Sequence, residues 1–199
     1  MGFIFGSTKK SLAKEESRIS SLQYEQSTYG TAKQVVYGTN RICGNLIDNT
    51  DFTAIEHKNN VKMGKGGQSN SSVSYTYKSR ALIGLCYGQI AGIKKVLFDD
   101  GIYNLNQLNL TFFNGASNQG EWGEMRSYHP DHALNYRNLA YVAGYIDLTS
   151  SAGVPQYNFE VAGKCIANGL DANPKDVMLD ILTNSIYGAG FDKKYIDFQ

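Results

Sequence analysis

Tyr136-Arg137-Asn138-Leu139-Ala140-Tyr141-Val142 and, after a short polar stretch, Val154-Pro155-Gln156-Tyr157-Asn158-Phe159-Glu160-Val161 decide the fold class of this chain. Leu139, Tyr141, Ala143 and Tyr145 recur at every second position in the first segment, as do Tyr157, Phe159 and Val161 in the second. Side chains on extended backbone alternate between faces with a period of two, so each spacing predicts a half-buried strand.

The same signal extends outward. Val35 to Tyr37 and Arg41 to Ile47 read as two strands around a bend at Gly38. Val73, Tyr75 and Tyr77 alternate with polar residues and run on into the apolar stretch Ala81 to Tyr87, which predicts a long or bent strand entering the core. Ile93, Val96, Leu97 and Phe98 lead through Asp99-Asp100-Gly101 to Ile102-Tyr103, a hairpin signal in which the glycine is expected to take the positive φ. Leu108, Leu110 and Phe112 predict another strand, ended by Asn114-Gly115. Near the end, Asn173 suits a helix N-cap and Pro174 the first helical position, with Val177, Met178, Ile181 and Leu182 on one apolar face and Gly188 closing the helix. Many short strands, one helix and no alternation of strand and helix predict an α+β domain, mainly antiparallel β and barrel-like.

Residues 1–26 predict a flexible N-terminal arm or short helix, Ser7 to Gln26 being rich in Ser, Lys and Glu with sparse apolar marks. Residues 27–199 form the β-rich domain, as one body or two lobes, with a long loop near 114–135 that lacks periodicity. Lys62 to Ser72 predicts a mobile loop; its glycines have the wrong spacing for a phosphate-binding loop, and a strand follows them rather than a helix.

With 42% hydrophobic and 19% charged residues over 199 positions, the chain has enough apolar material for a core without a metal or disulfide staple. It has no apolar run long enough for a spanning helix. A net charge of +1 gives no field that would gather nucleic acid. Cys43, Cys86 and Cys165 are odd in number, far apart and in apolar or strand-like settings, which suits reduced buried thiols and folding in the cytoplasm.

Residues that could carry chemistry are few. His129 and His132 have a ligand-like spacing around Asp131, but zinc takes a fuller set of nitrogen or sulfur ligands, so solvated loop histidines are the expectation. Glu121 and Glu124 are the carboxylate pair a cell-wall hydrolase would need, yet no nucleophile elbow or His-Glu-x-x-His motif accompanies them. Trp122 and Tyr128 are the stacking platforms that a carbohydrate-binding module would use. No catalytic residue, metal or cofactor is expected.

The order of short motifs is more specific than any one of them. Ser27-Thr28-Tyr29-Gly30, Tyr37-Gly38-Thr39-Asn40-Arg41-Ile42-Cys43-Gly44-Asn45-Leu46-Ile47, Leu82 to Ile90 with Gly88, Phe113-Asn114-Gly115-Ala116 with Gln119, Tyr136-Arg137 through Tyr141, Pro155 through Phe159-Glu160, and Ala172 to Val177 follow one another along the chain. This series resembles the N-terminal region of phage tail tip proteins, the host-specificity or tip-attachment type with relatives in gene transfer agents. The chain departs from that pattern at Ala32-Lys33, Asp48 and Leu134-Asn135.

The resemblance implies a baseplate-hub-like fold in a phage or prophage virion. It also implies a ring of copies, expected to be a trimer, around the channel through which DNA leaves without specific binding. Distal tail and other tail tip proteins are the implied partners, and the tail tip is the implied location. Tyr37, Gly38, Arg41, Gly44, Asn45, Gly88, Tyr136, Arg137, Tyr141, Pro155, Phe159 and Glu160 are expected to fix shape, with Arg41 and Arg137 each holding a carboxylate or carbonyl array. Tail hub proteins are longer, so the chain is expected to be a fragment lacking the receptor-binding part.

Overall fold

A computed structural model describes residues 14–15, 17–22, 33–62, 69–167 and 171–196. In chain order the strands begin with β1 (Lys14–Glu15), β2 (Thr39–Cys43), β3 (Asn45–Lys62), β4 (Ser69–Tyr87), β5 (Gly92–Phe98), β6 (Gly101–Tyr103) and β7 (Thr111–Asn114). Helix α1 (Gly123–Tyr128) precedes β8 (Leu139–Asp147), β9 (Asn158–Ala162), β10 (Ile166–Ala167), β11 (Asp171–Ala172) and helix α2 (Pro174–Thr183).

The larger strands make two open sheets. In the first, β4 lies between β3 and β8, β7 flanks β8, and β1 adds to β4; in the second, the order is β2-β9-β5-β6. Every pairing in the two sheets is antiparallel except that of β1 with β4. Among the described residues the strands do not close into a barrel.

The two sheets face each other across the main core, where Ala81, Ile83, Leu85, Ala140, Val142 and Ile146 meet Ile42, Val96, Phe159 and Val161. The opposite face of the first sheet presents Leu82, Tyr141 and Ala143 to Trp122 and Met125 of the α1 region. Layers on both sides explain why β8 departs from the half-buried expectation: every residue from Leu139 to Gly144 is buried, and only Tyr145 and Asp147 emerge. Strand β9 keeps the expected alternation, with Phe159 and Val161 fully buried between half-buried Asn158 and Glu160.

Several local expectations are corrected. The positive φ of the β5–β6 hairpin falls on Asp99 (φ 53°), while Gly101 serves to leave room for the Tyr103 ring. Leu108 lies in a 3-10 turn (Asn106–Leu108), because Asn104 and Gln107 exchange backbone-to-side-chain hydrogen bonds of 2.8 and 2.9 Å that wind the chain before β7. The expected loop near 114–135 contains α1 and a 3-10 turn at Pro130–His132, since buried Trp122 and Met125 anchor it to the first sheet.

Residues 48–62, which gave no strand signal, form most of β3, and Ser69–Ser72 extend β4 into the expected mobile loop. The glycine cluster at 63–68 lies outside the described residues. In the N-terminal region the described Lys14–Glu15 pair as strand rather than helix.

Helix α2 begins as expected, with the Asn173 side chain accepting from the Lys175 amide at 3.0 Å and Pro174 following it. Its apolar face is only partly covered: Met178 and Ile181 are 55% and 45% exposed.

Candidate functional site

The residues that carry the motif series gather at backbone junctions. Tyr37 forms a parallel bridge to Lys164, and Gly38 exchanges hydrogen bonds with Lys164 and Gly163 at 3.0 and 2.7 Å in a left-handed conformation, φ 65°. Gly44 lets the start of β3 pass against the Phe159 ring and Ile83, both of which a Cβ would overlap. The Gly88 amide donates to the Asn138 carbonyl at 2.8 Å, and the Gly88 carbonyl sits where a Cβ on Gly115 would lie.

Gln119 locks this second junction. Its Oε1 accepts from the Gly115 amide at 2.7 Å, and its buried Nε2 donates to the carbonyls of Asn135, Tyr136 and Leu139 at 3.2, 3.0 and 3.1 Å. One side chain thereby holds both ends of the 115–139 segment. Tyr136 takes φ 43° beside it and packs edge-on against Tyr141, which stacks on Phe113 at 4.3 Å between ring centroids.

Pro155 and Phe159 are buried, and Asn45 opens β3 at the surface. The half-buried Glu160 carboxylate lies 3.5 Å from Lys95 rather than on Arg41, its register partner. Arg41 and Arg137 are exposed and make no ion pair among the described residues. The expected arginine clamp is supplied instead by Arg80 of β4, whose guanidinium pairs with Asp51, lies 3.5 Å from Glu124 and sits 4.1 Å over the Tyr128 ring.

Around Arg80 the α1 region is stitched to β3. His129 meets Asp51 at 2.8 Å and His132 meets Asp48 at 3.0 Å, while Glu121 pairs with Arg126. Burial pushes the Asp51 carboxyl up, but hydrogen bonds and charge from His129 and Arg80 outweigh it and hold it below the usual range. The four residues considered for hydrolysis are thus engaged separately at a structural joint. Trp122 is buried in the core rather than displayed as a stacking platform.

A second polar cluster escaped sequence reasoning. Asp180 of α2 accepts hydrogen bonds from Lys164 (2.8 Å), Tyr37 (2.7 Å) and Tyr187 (2.5 Å) and so ties the C-terminal helix to the second sheet. Burial and the adjoining carboxylate drive both tyrosine hydroxyls far above their ordinary range. Tyr37 lies 143 positions from Asp180, whereas Lys164 and Tyr187 lie 16 and 7 away, so no local spacing gathers the four.

A cleft of about 410 Å³ opens between the sheets, lined by Gln34, Cys43, Asn45, Ile47, Leu85 and Cys86 among others. All three cysteines are free; Cys43 is exposed, against expectation, whereas burial pushes the Cys86 thiol up to about 11. Among the described residues no cluster of three His, Cys, Asp or Glu is placed to hold a metal, and no helix is long and apolar enough to cross a membrane.

No protein-family model matches the sequence, and no curated protein matches it. A solved chain from the virion of a native gene transfer agent particle is similar over 82% of this chain, at 22% identity and a TM-score of 0.49. The chain spans 33% of that longer chain.

Proposed function

We propose that the chain is a structural component of a phage or prophage tail tip, the N-terminal hub portion of the tip-attachment type, and that it performs no catalysis. Its place would be the ring of copies around the DNA exit channel, between distal tail proteins and the receptor-binding region.

One observation carries the reading. The motif residues shared with the tail tip pattern act on the path of the backbone: Gly38, Gly44 and Gly88 admit close approaches, and Gln119 binds two loop ends together. Residues selected for shape are what a scaffold requires. The carbohydrate-binding and hydrolase readings lose their support where Trp122 enters the core and where Glu124, His129 and His132 are taken up by Arg80, Asp51 and Asp48.

The test is the composition of purified particles from a lysate of a strain carrying the gene. The reading predicts the chain, or the longer protein containing it, in a small fixed number of copies per tail by quantitative mass spectrometry. Finding it only in the soluble fraction, absent from intact tails, would overturn the assignment.

A further inference from the structure

Asn114-Gly115 closes β7 at the junction that Gln119 holds. Asparagine is chemically labile, and most so before glycine, which has no Cβ to obstruct its own nitrogen as it approaches the preceding carboxamide. The sequence has a second such pair, Asn168-Gly169, outside the described residues.

The Asn114 carboxamide is the prepared half of that chemistry. Its Oδ1 accepts from the Ala116 amide at 3.1 Å, so the side chain folds back along the main chain with its carbonyl polarised by a donor. Negative charge that develops on Oδ1 during attack at Cγ meets the same N–H.

The nucleophile is the withheld half. The buried Gly115 amide donates to Gln119 Oε1 at 2.7 Å, and Gln119 is itself pinned by its bonds to the carbonyls of Asn135, Tyr136 and Leu139. On the other side of the same peptide unit, the Asn114 carbonyl accepts from the Ile90 amide at 2.9 Å. Asn114 lies in a strand, so its backbone is extended and the Gly115 nitrogen must turn about the Asn114 Cα–C bond to reach Cγ. That turn breaks both hydrogen bonds at once.

We propose that Asn114 is a site of spontaneous deamidation gated by Gln119, reacting only from the state in which the 115–139 segment has released the Gly115 amide. In that state the Gly115 nitrogen loses its proton to hydroxide and bonds to Asn114 Cγ. The Cγ–Nδ2 bond breaks, Nδ2 takes a proton from water and leaves as ammonia, and a succinimide ring remains. Water opens the ring at either carbonyl carbon to leave isoaspartate or aspartate. Isoaspartate carries an extra methylene in the main chain, which displaces the Gly115 amide from Gln119 and makes one opening of the lock permanent.

The full-length chain, folded and in urea, is incubated at neutral pH. Peptide mapping by mass spectrometry reads Asn114 apart from Asn168, by the mass gained when an amide becomes an acid and by the paired isoaspartate and aspartate products. Gating predicts that folding slows conversion at Asn114 by the factor that protects the Gly115 amide from hydrogen exchange. It also predicts that Gln119→Ala, still folded by circular dichroism, converts at least about tenfold faster than the parent chain. Conversion as fast in the folded chain as in urea overturns the proposal, as does a folded Gln119→Ala chain whose Gly115 amide exchanges faster while Asn114 converts no faster. Should Gln119→Ala unfold, the parent chain decides alone: a folded conversion rate more than about tenfold away from the one set by Gly115 protection contradicts the gate.

Discussion

The Lys164 ammonium lies 2.8 Å from the Asp180 carboxylate, and through this pair the C-terminal helix is fastened to the strand bridge that Lys164 makes with Tyr37. The pair is half-buried and hydrogen-bonded on several sides, so losing one partner strands the others. Asp180→Asn is predicted to destabilise the chain by about 1–3 kcal/mol in urea denaturation. Tyr37→Phe, which leaves the ion pair in place, is predicted to cost about 1 kcal/mol.

The same carboxylate sets a pH dependence. Burial pushes Asp180 up, but hydrogen bonds from Lys164, Tyr187 and Tyr37 and the Lys164 charge outweigh it, so its folded pKa lies below the ordinary 3.8. A depressed carboxylate contributes stability that is present above its unfolded pKa and disappears as pH falls through the folded one. Asp51 acts in the same direction. Thermal melts are predicted to lose stability steadily below about pH 4, and the Asp180→Asn/Asp51→Asn double variant to show a shallower acid limb. Asn tolerates the left-handed backbone at position 51, φ 54°, so the change reports on charge.

Glycines separate junctions from ordinary strand positions. Gly115 has φ 83°, and a Cβ there would overlap the Gly88 carbonyl and approach the Ala140 amide to 2.9 Å. Gly115→Ala is predicted to cost about 2–5 kcal/mol from backbone strain and overpacking. Gly92 has nothing within 4 Å of the same position, so Gly92→Ala is predicted to shift stability by less than about 1 kcal/mol, toward greater stability. Chemical denaturation of both variants checks the contrast.

Gln119 provides a sharper test of the loop lock. Gln119→Glu places a carboxylate against three carbonyl oxygens that need a donor, which raises its folded pKa. Relative to Gln119→Ala, the Glu variant is predicted to be more stable when protonated near pH 4 and to lose that advantage as pH rises to 7. A melt series across this range reads the crossover.

Much of the β framework was legible because its strands present one apolar face. Val73 to Tyr87 forms the expected long strand, with Ala81 to Cys86 buried throughout, Tyr157 to Val161 keeps its alternation, and Asn173-Pro174 marks the start of α2. β3 was illegible because exposed Glu56, His57 and Lys58 carry no periodic apolar signal; the strand exists because β4 supplies its hydrogen bonds. The exposed face of Met178 and Ile181 shows the converse, since periodicity announces an apolar face without saying what covers it.

The polar joints were hidden for a different reason. Asp48 and its partner His132 lie 84 positions apart. Arg80 and Asp51 meet only because β3 and β4 are in register. No local spacing encodes such pairs, whereas Gln119 stood within the motif series although its four hydrogen bonds were unforeseen.

The central claim is that these residues build a scaffold at the distal end of a tail. An epitope tag inserted at the β5–β6 turn, beside exposed Asp99 and Asp100, would be located on intact particles by gold-labelled antibody in electron microscopy. The account predicts gold at the tip distal to the head in most labelled particles. Gold on the head or along the tail tube, or none on particles that still contain the tag, would contradict it.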